Sequence, residues 1–101
     1  MKLNDNQGVK QKELIIRMLS ALLPGVKIYL FGSRAKRTYK DISDIDLALD
    51  LGRELDLSEL AQALNVLEAV NIIHKIDVVD LRSVPERLRV VILKEGVVWK
   101  E

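Results

Sequence analysis

The sequence predicts an α/β (α+β) fold, a small mixed sheet of three to four strands packed with about four helices. Three observations carry that expectation. Apolar residues recur at helical spacing over about Val9–Leu23 and Leu57–Asn71, and again after Pro85. Between these stretches lie short runs of strand period, clearest at Asp44–Leu51. The breakers Pro24-Gly25, Gly32, Gly52, Pro85 and Gly96 fall between the runs rather than inside them. Helices and strands that alternate in this way predict two packed layers.

In the first helix Ile15, Leu19, Leu22 and Leu23 share a face, with Lys10, Lys12, Glu13 and Arg17 polar. Pro24-Gly25 stops it. Val26–Phe31 follows as a strand, with Val26, Ile28 and Leu30 on one face and Lys27, Tyr29 and Phe31 on the other. Gly32-Ser33 then turns the chain into a short helical segment, about Ser33–Arg37. In the second strand Ile45, Leu47, Leu49 and Leu51 alternate with Asp44, Asp46, Ala48 and Asp50. Asp56 and Glu59 have capping-box spacing ahead of the next helix, whose stripe is Leu57, Leu60, Leu64 and Leu67. Lys75–Leu81 is a third strand. Ser83 and Glu86 form a second capping-box pattern, with Pro85 in the first turn of a helix that Gly96 ends. Val97–Trp99 adds a short edge strand, and Trp99 covers the edge of the core.

A length of 101 residues suits one small domain, residues 1–101. Sixteen basic and fifteen acidic residues give a net charge of +1. That balance argues against a dedicated duplex-binding protein, which needs a clear basic excess. The chain has no cysteine and one histidine, which excludes disulfides, thiolate metal sites and His-rich zinc sites. No apolar run reaches the roughly 18 residues a membrane span requires, and Met1–Lys12 lacks a signal-peptide core. A cytoplasmic location follows as the default. A core this small is marginal, so a homodimer or a partner chain would help it.

The informative residues are Gly32-Ser33-Arg34-Ala35-Lys36-Arg37 and Ser43-Asp44-Ile45-Asp46. Asp44 and Asp46, two apart on a strand, project from one face. Such a pair suits a hard cation such as Mg²⁺, which takes one or two carboxylates together with substrate phosphates. Gly32-Ser33 sits where a strand feeds a turn, so its N–H groups and the Ser33 hydroxyl can face a phosphate. Arg34, Lys36, Arg37 and Lys40 place positive charge nearby. This is equipment for phosphoryl or nucleotidyl transfer. A third carboxylate would complete the site. Asp77, between Ile76 and Val78, is the better candidate, because a lone charge among apolar residues needs a partner. Asp80 is its rival, and being three residues away it faces the other side of a regular strand. With Tyr39 the sole interleaved aromatic, the basic cluster reads as a solvated face rather than a nucleic-acid patch. His74 reads as a turn or surface residue without a role.

Gly32, Ser33, a gap of ten residues, Asp44 and Asp46 together resemble the nucleotidyltransferase superfamily that includes DNA polymerase beta. The brevity of the chain and its "GSRA" and "SDIDLAL" segments resemble the minimal nucleotidyltransferase (MNT) branch, and the likeness covers nearly the whole chain. The resemblance implies a nucleotidyltransferase fold. It also implies an activity in which ATP or another NTP, with two Mg²⁺ ions, donates a nucleoside monophosphate to a hydroxyl. Asp44, Asp46 and Asp77 would then be the catalytic and metal-binding residues, with Gly32, Ser33 and Arg34 binding the nucleotide. The implied partner is a HEPN-domain toxin, neutralised by complex formation and by adenylylation of a tyrosine. Arg37 stands where members commonly carry glycine. Two alternatives stay open at this point. One is a non-catalytic antitoxin that neutralises its partner by occlusion. The other is a transferase acting on a small molecule such as an aminoglycoside.

Overall fold

The apolar runs become α1 (Lys12–Leu22), β1 (Lys27–Phe31), β2 (Ile45–Asp50), α2 (Leu57–Val70), β3 (Ile76–Asp80), α3 (Glu86–Glu95) and β4 (Val97–Lys100). The structure, a computed structural model, describes residues 9–36, 44–70 and 74–101. Arg37, Tyr39, Lys40, Ser43 and Asn71, named above, lie outside them. The four strands form one mixed sheet in the order β3-β2-β1-β4. β1 pairs antiparallel with both β2 and β4, and β2 pairs parallel with β3.

Three helices, not four, stand among the described residues. As far as Lys36, the segment expected to be helical after Gly32 is a run of turns that includes a bond from the Lys36 N–H to the Gly32 carbonyl at 3.2 Å, and Arg37 lies outside the described residues.

The alternation in β1 and β2 sends Ile28, Leu30, Ile45, Leu47 and Leu49 into the main core. There they meet Ile15 and Leu19 of α1, Ala63 and Leu67 of α2, and Trp99 of β4. The Trp99 ring is 7% exposed, and the Lys12 ammonium lies 5.7 Å from its centroid. The two-layer expectation needs one correction. Ile92 of α3 packs with Leu81 on Ala48, on the opposite face of the sheet, beside Tyr29, Phe31, Val79 and Leu88. Alanine leaves room for a helix to approach, so the polar face of β2 is covered in its middle. Asp50 is buried there as well. It accepts bonds from Arg82 Nε at 2.9 Å and the Gly52 N–H at 2.8 Å. Burial acts to raise its pKa, but the Arg82 bond, the Gly52 N–H and the Arg82 charge together bring it below the ordinary value.

The first capping box forms as read. The Asp56 N–H donates to Glu59 Oε1 (2.9 Å) and the Glu59 N–H donates to Asp56 Oδ1 (2.7 Å). The bond from Arg53, followed by the Asp56 N–H, lowers the Glu59 pKa to about 2. Leu57 departs from the expected stripe. It is the first helical residue and is 83% exposed, while Ala63 takes the buried position. The second capping box does not form. Ser83 Oγ donates to Asp80 Oδ2 at 2.8 Å instead, and Pro85 occupies the N-cap with no side-chain cap. No helix of the described residues is long and apolar enough to cross a membrane.

Candidate active site

β1 ends where β2 and β3 begin, and the residues singled out from the sequence meet at that end of the sheet. In the parallel ladder Asp46 stands opposite Asp77, and in the antiparallel ladder it stands opposite Phe31. The Ile45 N–H donates to the Lys75 carbonyl at 2.8 Å and fixes the start of that register. In-register partners on neighbouring strands project from the same face. Asp46 and Asp77 are therefore side by side, on the face turned away from the main core. Asp44, exposed and two residues ahead of Asp46, completes the group.

These carboxylates sense one another. The Asp46 pKa is raised above its ordinary value, first by partial burial and then by the charges of Asp77 and Asp44, against a smaller opposing effect of Lys75. Lys75 Nζ lies 3.7 Å from Asp77 Oδ1 in a pair open to solvent. Among the described residues no three His, Cys, Asp or Glu side chains are drawn into a ready-made metal cage. Three anions without a cation repel, and Mg²⁺ takes one or two carboxylates with phosphates rather than a closed protein cage. An all-oxygen donor set with mutual repulsion to relieve fits that ion.

The turn after β1 closes directly on this group. A Cβ built on Gly32 would strike Asp46 Oδ2, so glycine is needed for contact as well as for its positive φ. Ser33 is half-buried in the same turn. Arg34, which the sequence places in a basic cluster on a solvated face, is buried. It is 1% exposed, and its Nη2 donates to His74 Nδ1 at 3.3 Å. Lys36 pairs with Glu95 of α3 at 3.6 Å on the surface. His74, a turn or surface residue on the sequence, takes up the bond from Arg34. Its partner stands forty positions away, so no local spacing could have signalled the bond.

Asp77 and Asp80 differ in burial and in partners. Asp80 is 5% exposed and accepts bonds from the Leu55 N–H (2.7 Å), the Arg82 N–H (3.0 Å) and Ser83 Oγ. It clasps two loops. Asp80→Ala strands these donors and is expected to cost about 2–4 kcal/mol, read as a lower urea midpoint. Asp77 stays accessible because β3 is an edge strand. Between α2 and the start of that strand lies a groove of about 340 Å³, lined by Leu64, Leu67 and Glu68 on one side and by residues 74–77 on the other.

Comparison with known proteins agrees with this geometry. Residues 13–101 match the family described as "Polymerase beta, Nucleotidyltransferase". The chain is 30% identical over 95 residues to "Probable protein adenylyltransferase MntA" of Haemophilus influenzae, covering 92% of this chain and 83% of that protein. A crystal structure of a toxin-antitoxin with AMP-PNP superposes with a TM-score of 0.75 at 30% identity, over 87% of this chain and 71% of that one. A complex of tri-AMPylated Shewanella oneidensis HEPN toxin with MNT antitoxin gives a TM-score of 0.69 at 28% identity, over 88% and 68% of the two chains. A glycine-serine turn closed on paired strand carboxylates, in a chain alike from its first helix to its last strand, makes this protein a member of the polymerase-beta-type nucleotidyltransferase family.

Proposed function

We propose that this nucleotidyltransferase moves AMP from ATP to a tyrosine hydroxyl of a HEPN-type toxin and thereby acts as its antitoxin. The observation that carries the reading is the register of Asp46 against Asp77 beside the Gly32 turn. It sets these carboxylates against the Gly32 turn, which supports reading them as a divalent-cation donor set beside a phosphate-binding turn. The named activity of the Haemophilus influenzae relative and the toxin complexes of the structural relatives support the choice of nucleotide and partner. A dependence on ATP fits a cytoplasmic protein.

Asp44, Asp46 and Asp77 are the residues that would hold Mg²⁺, two ions in the family's manner. When bound, the ions neutralise triphosphate charge and ease ionisation of the acceptor hydroxyl. The remaining work falls to the chain itself. The N–H groups of the Gly32-Ser33 turn and the Ser33 hydroxyl hold the β- and γ-phosphates. The buried Arg34 guanidinium adds positive charge behind them. Asp77, 45% exposed beside the groove between α2 and β3, is the carboxylate an incoming hydroxyl would meet. The acceptor hydroxyl gives its proton to the Asp77 carboxylate as its oxygen bonds to the α-phosphorus, and the bond from the α-phosphorus to the bridging oxygen breaks to release pyrophosphate. Catalysis on this plan is positioning and electrostatic stabilisation.

The test uses the chain co-purified with its partner, labelled ATP and Mg²⁺. Label is expected on the partner, and Asp44→Ala should lower its rate of appearance by about 10³-fold or more. An unlabelled partner, or Asp44→Ala at the wild-type rate, contradicts the reading. Full neutralisation by Asp44→Ala/Asp46→Ala would favour occlusion instead.

A further inference from the structure

We propose that His74 is a positioning residue: by holding Arg34, it sets the Gly32-Ser33 turn at a fixed spacing from the strand that carries Asp77. The rate consequence rests on the active-site reading above; the structural tie does not.

The strand order β3-β2-β1 places β2 between the turn that follows β1 and the start of β3. Ladder hydrogen bonds join neighbouring strands only, so the sheet backbone does not link that turn to β3 directly. The bond from Arg34 Nη2 to His74 Nδ1 does, at 3.3 Å across forty positions of sequence. Arg34 is 1% exposed, so the bond is shielded from solvent competition on the arginine side. A guanidinium only donates. The ring nitrogen it meets must therefore carry a lone pair, which fixes His74 as the neutral tautomer protonated on Nε2. His74 stands three residues ahead of Asp77 and lines the same groove. The tie thus joins the phosphate side of the site to the strand that carries Asp77. A misplacement of about 1 Å between such groups costs on the order of 10²-fold in rate.

The chain holds a single histidine, so its ring nitrogens give one unambiguous pair of ¹⁵N signals. At neutral pH the wild type should show an unprotonated Nδ1 and a protonated Nε2. His74→Ala should lower kcat/KM for AMP transfer about 10- to 100-fold, with a loss in kcat and a rise in the KM for ATP, because the turn that grips the phosphates shifts relative to the carboxylates. His74→Asn, whose Oδ1 can stand where Nδ1 stood, should recover most of kcat/KM. His74→Gln, which places its acceptor one carbon further out, should not. A proton on Nδ1, an alanine variant with wild-type kcat/KM, or equal rescue by Asn and Gln would each overturn the proposal. Should His74→Ala fail to fold, the wild-type tautomer and the Asn–Gln comparison still decide. Should the wild type transfer no AMP, the active-site reading fails. The tautomer, and displaced Gly32 and Ser33 amide signals in His74→Gln but not His74→Asn, then judge the tie alone.

Discussion

Asp46→Asn is expected to abolish nucleotidyl transfer while raising the melting temperature of the metal-free protein. Removing a carboxylate from the donor set should lower activity by about 10³-fold or more. The gain in stability comes from the same geometry. Asp46 is ionised at neutral pH against its own burial and against the charges of Asp77 and Asp44, and its pKa is raised accordingly. A carboxyl whose pKa is higher folded than unfolded binds its proton more tightly in the native state. The fold therefore bears the full cost of that charge above the raised pKa, and is relieved as pH falls toward the ordinary 3.8. The isosteric amide removes the cost outright. Melts in a chelator should show the variant above wild type at neutral pH, with the gap closing as pH falls toward 3.8. In a chain of this size about 1 kcal/mol moves Tm by 4–8 °C, so even a fraction is measurable. Added Mg²⁺ with nucleotide should raise the wild type more than the variant, by mass action. A variant melting below wild type at neutral pH would contradict the electrostatic reading.

Gly32→Ala is expected to lose activity and stability together, and to do so in a way Gly25→Ala does not. Both glycines have positive φ, +77 and +87. An L side chain in that region costs roughly 1–2 kcal/mol at either position. They differ in what a methyl group would meet. At Gly25 nothing lies within 4 Å, whereas at Gly32 the methyl runs into the Asp46 carboxylate. Either the turn lifts or Asp46 swings, and both displace the phosphate grip from the carboxylates. Gly32→Ala should therefore lose about 10²-fold or more in rate, with about 2–3 kcal/mol lost in urea unfolding. Gly25→Ala should keep its rate. In an Asp46→Ala background the stability cost of Gly32→Ala should shrink to the backbone share. Equal rates for the two single variants would show that close approach at Gly32 has no part in catalysis.

Much of the fold was legible because its elements are amphipathic at the expected periods. Ile28 and Leu30, and Ile45, Leu47 and Leu49, read inward from alternation and are buried inward. The box Asp56–Glu59 could be read because capping is local. Legibility ended where non-local neighbours decide. Ala48 reads as part of a polar face until α3 returns to cover it. Ser83 matches a cap pattern but lies within reach of Asp80, a stronger acceptor. Leu57 fits the helical stripe by spacing, yet sits at the helix start, outside the packed face. The site shows the same division. Asp44 and Asp46 share a face by strand period alone, and Asp77 and Asp80 were separated by theirs. The burial of Arg34 and its bond to His74 depend on strand order, which no spacing encodes.

The most direct test of the carboxylate site is paramagnetic broadening by Mn²⁺, a stand-in for Mg²⁺, in the ¹⁵N-labelled chain with a non-hydrolysable ATP analogue. Amide signals of Gly32, Ser33, Asp44, Asp46 and Asp77 should broaden first, and Asp46→Asn should weaken the effect at all of them. Broadening centred on Asp50 and Asp80, or none at all with the analogue present, would contradict a divalent-ion site formed by Asp44, Asp46 and Asp77 beside the Gly32 turn.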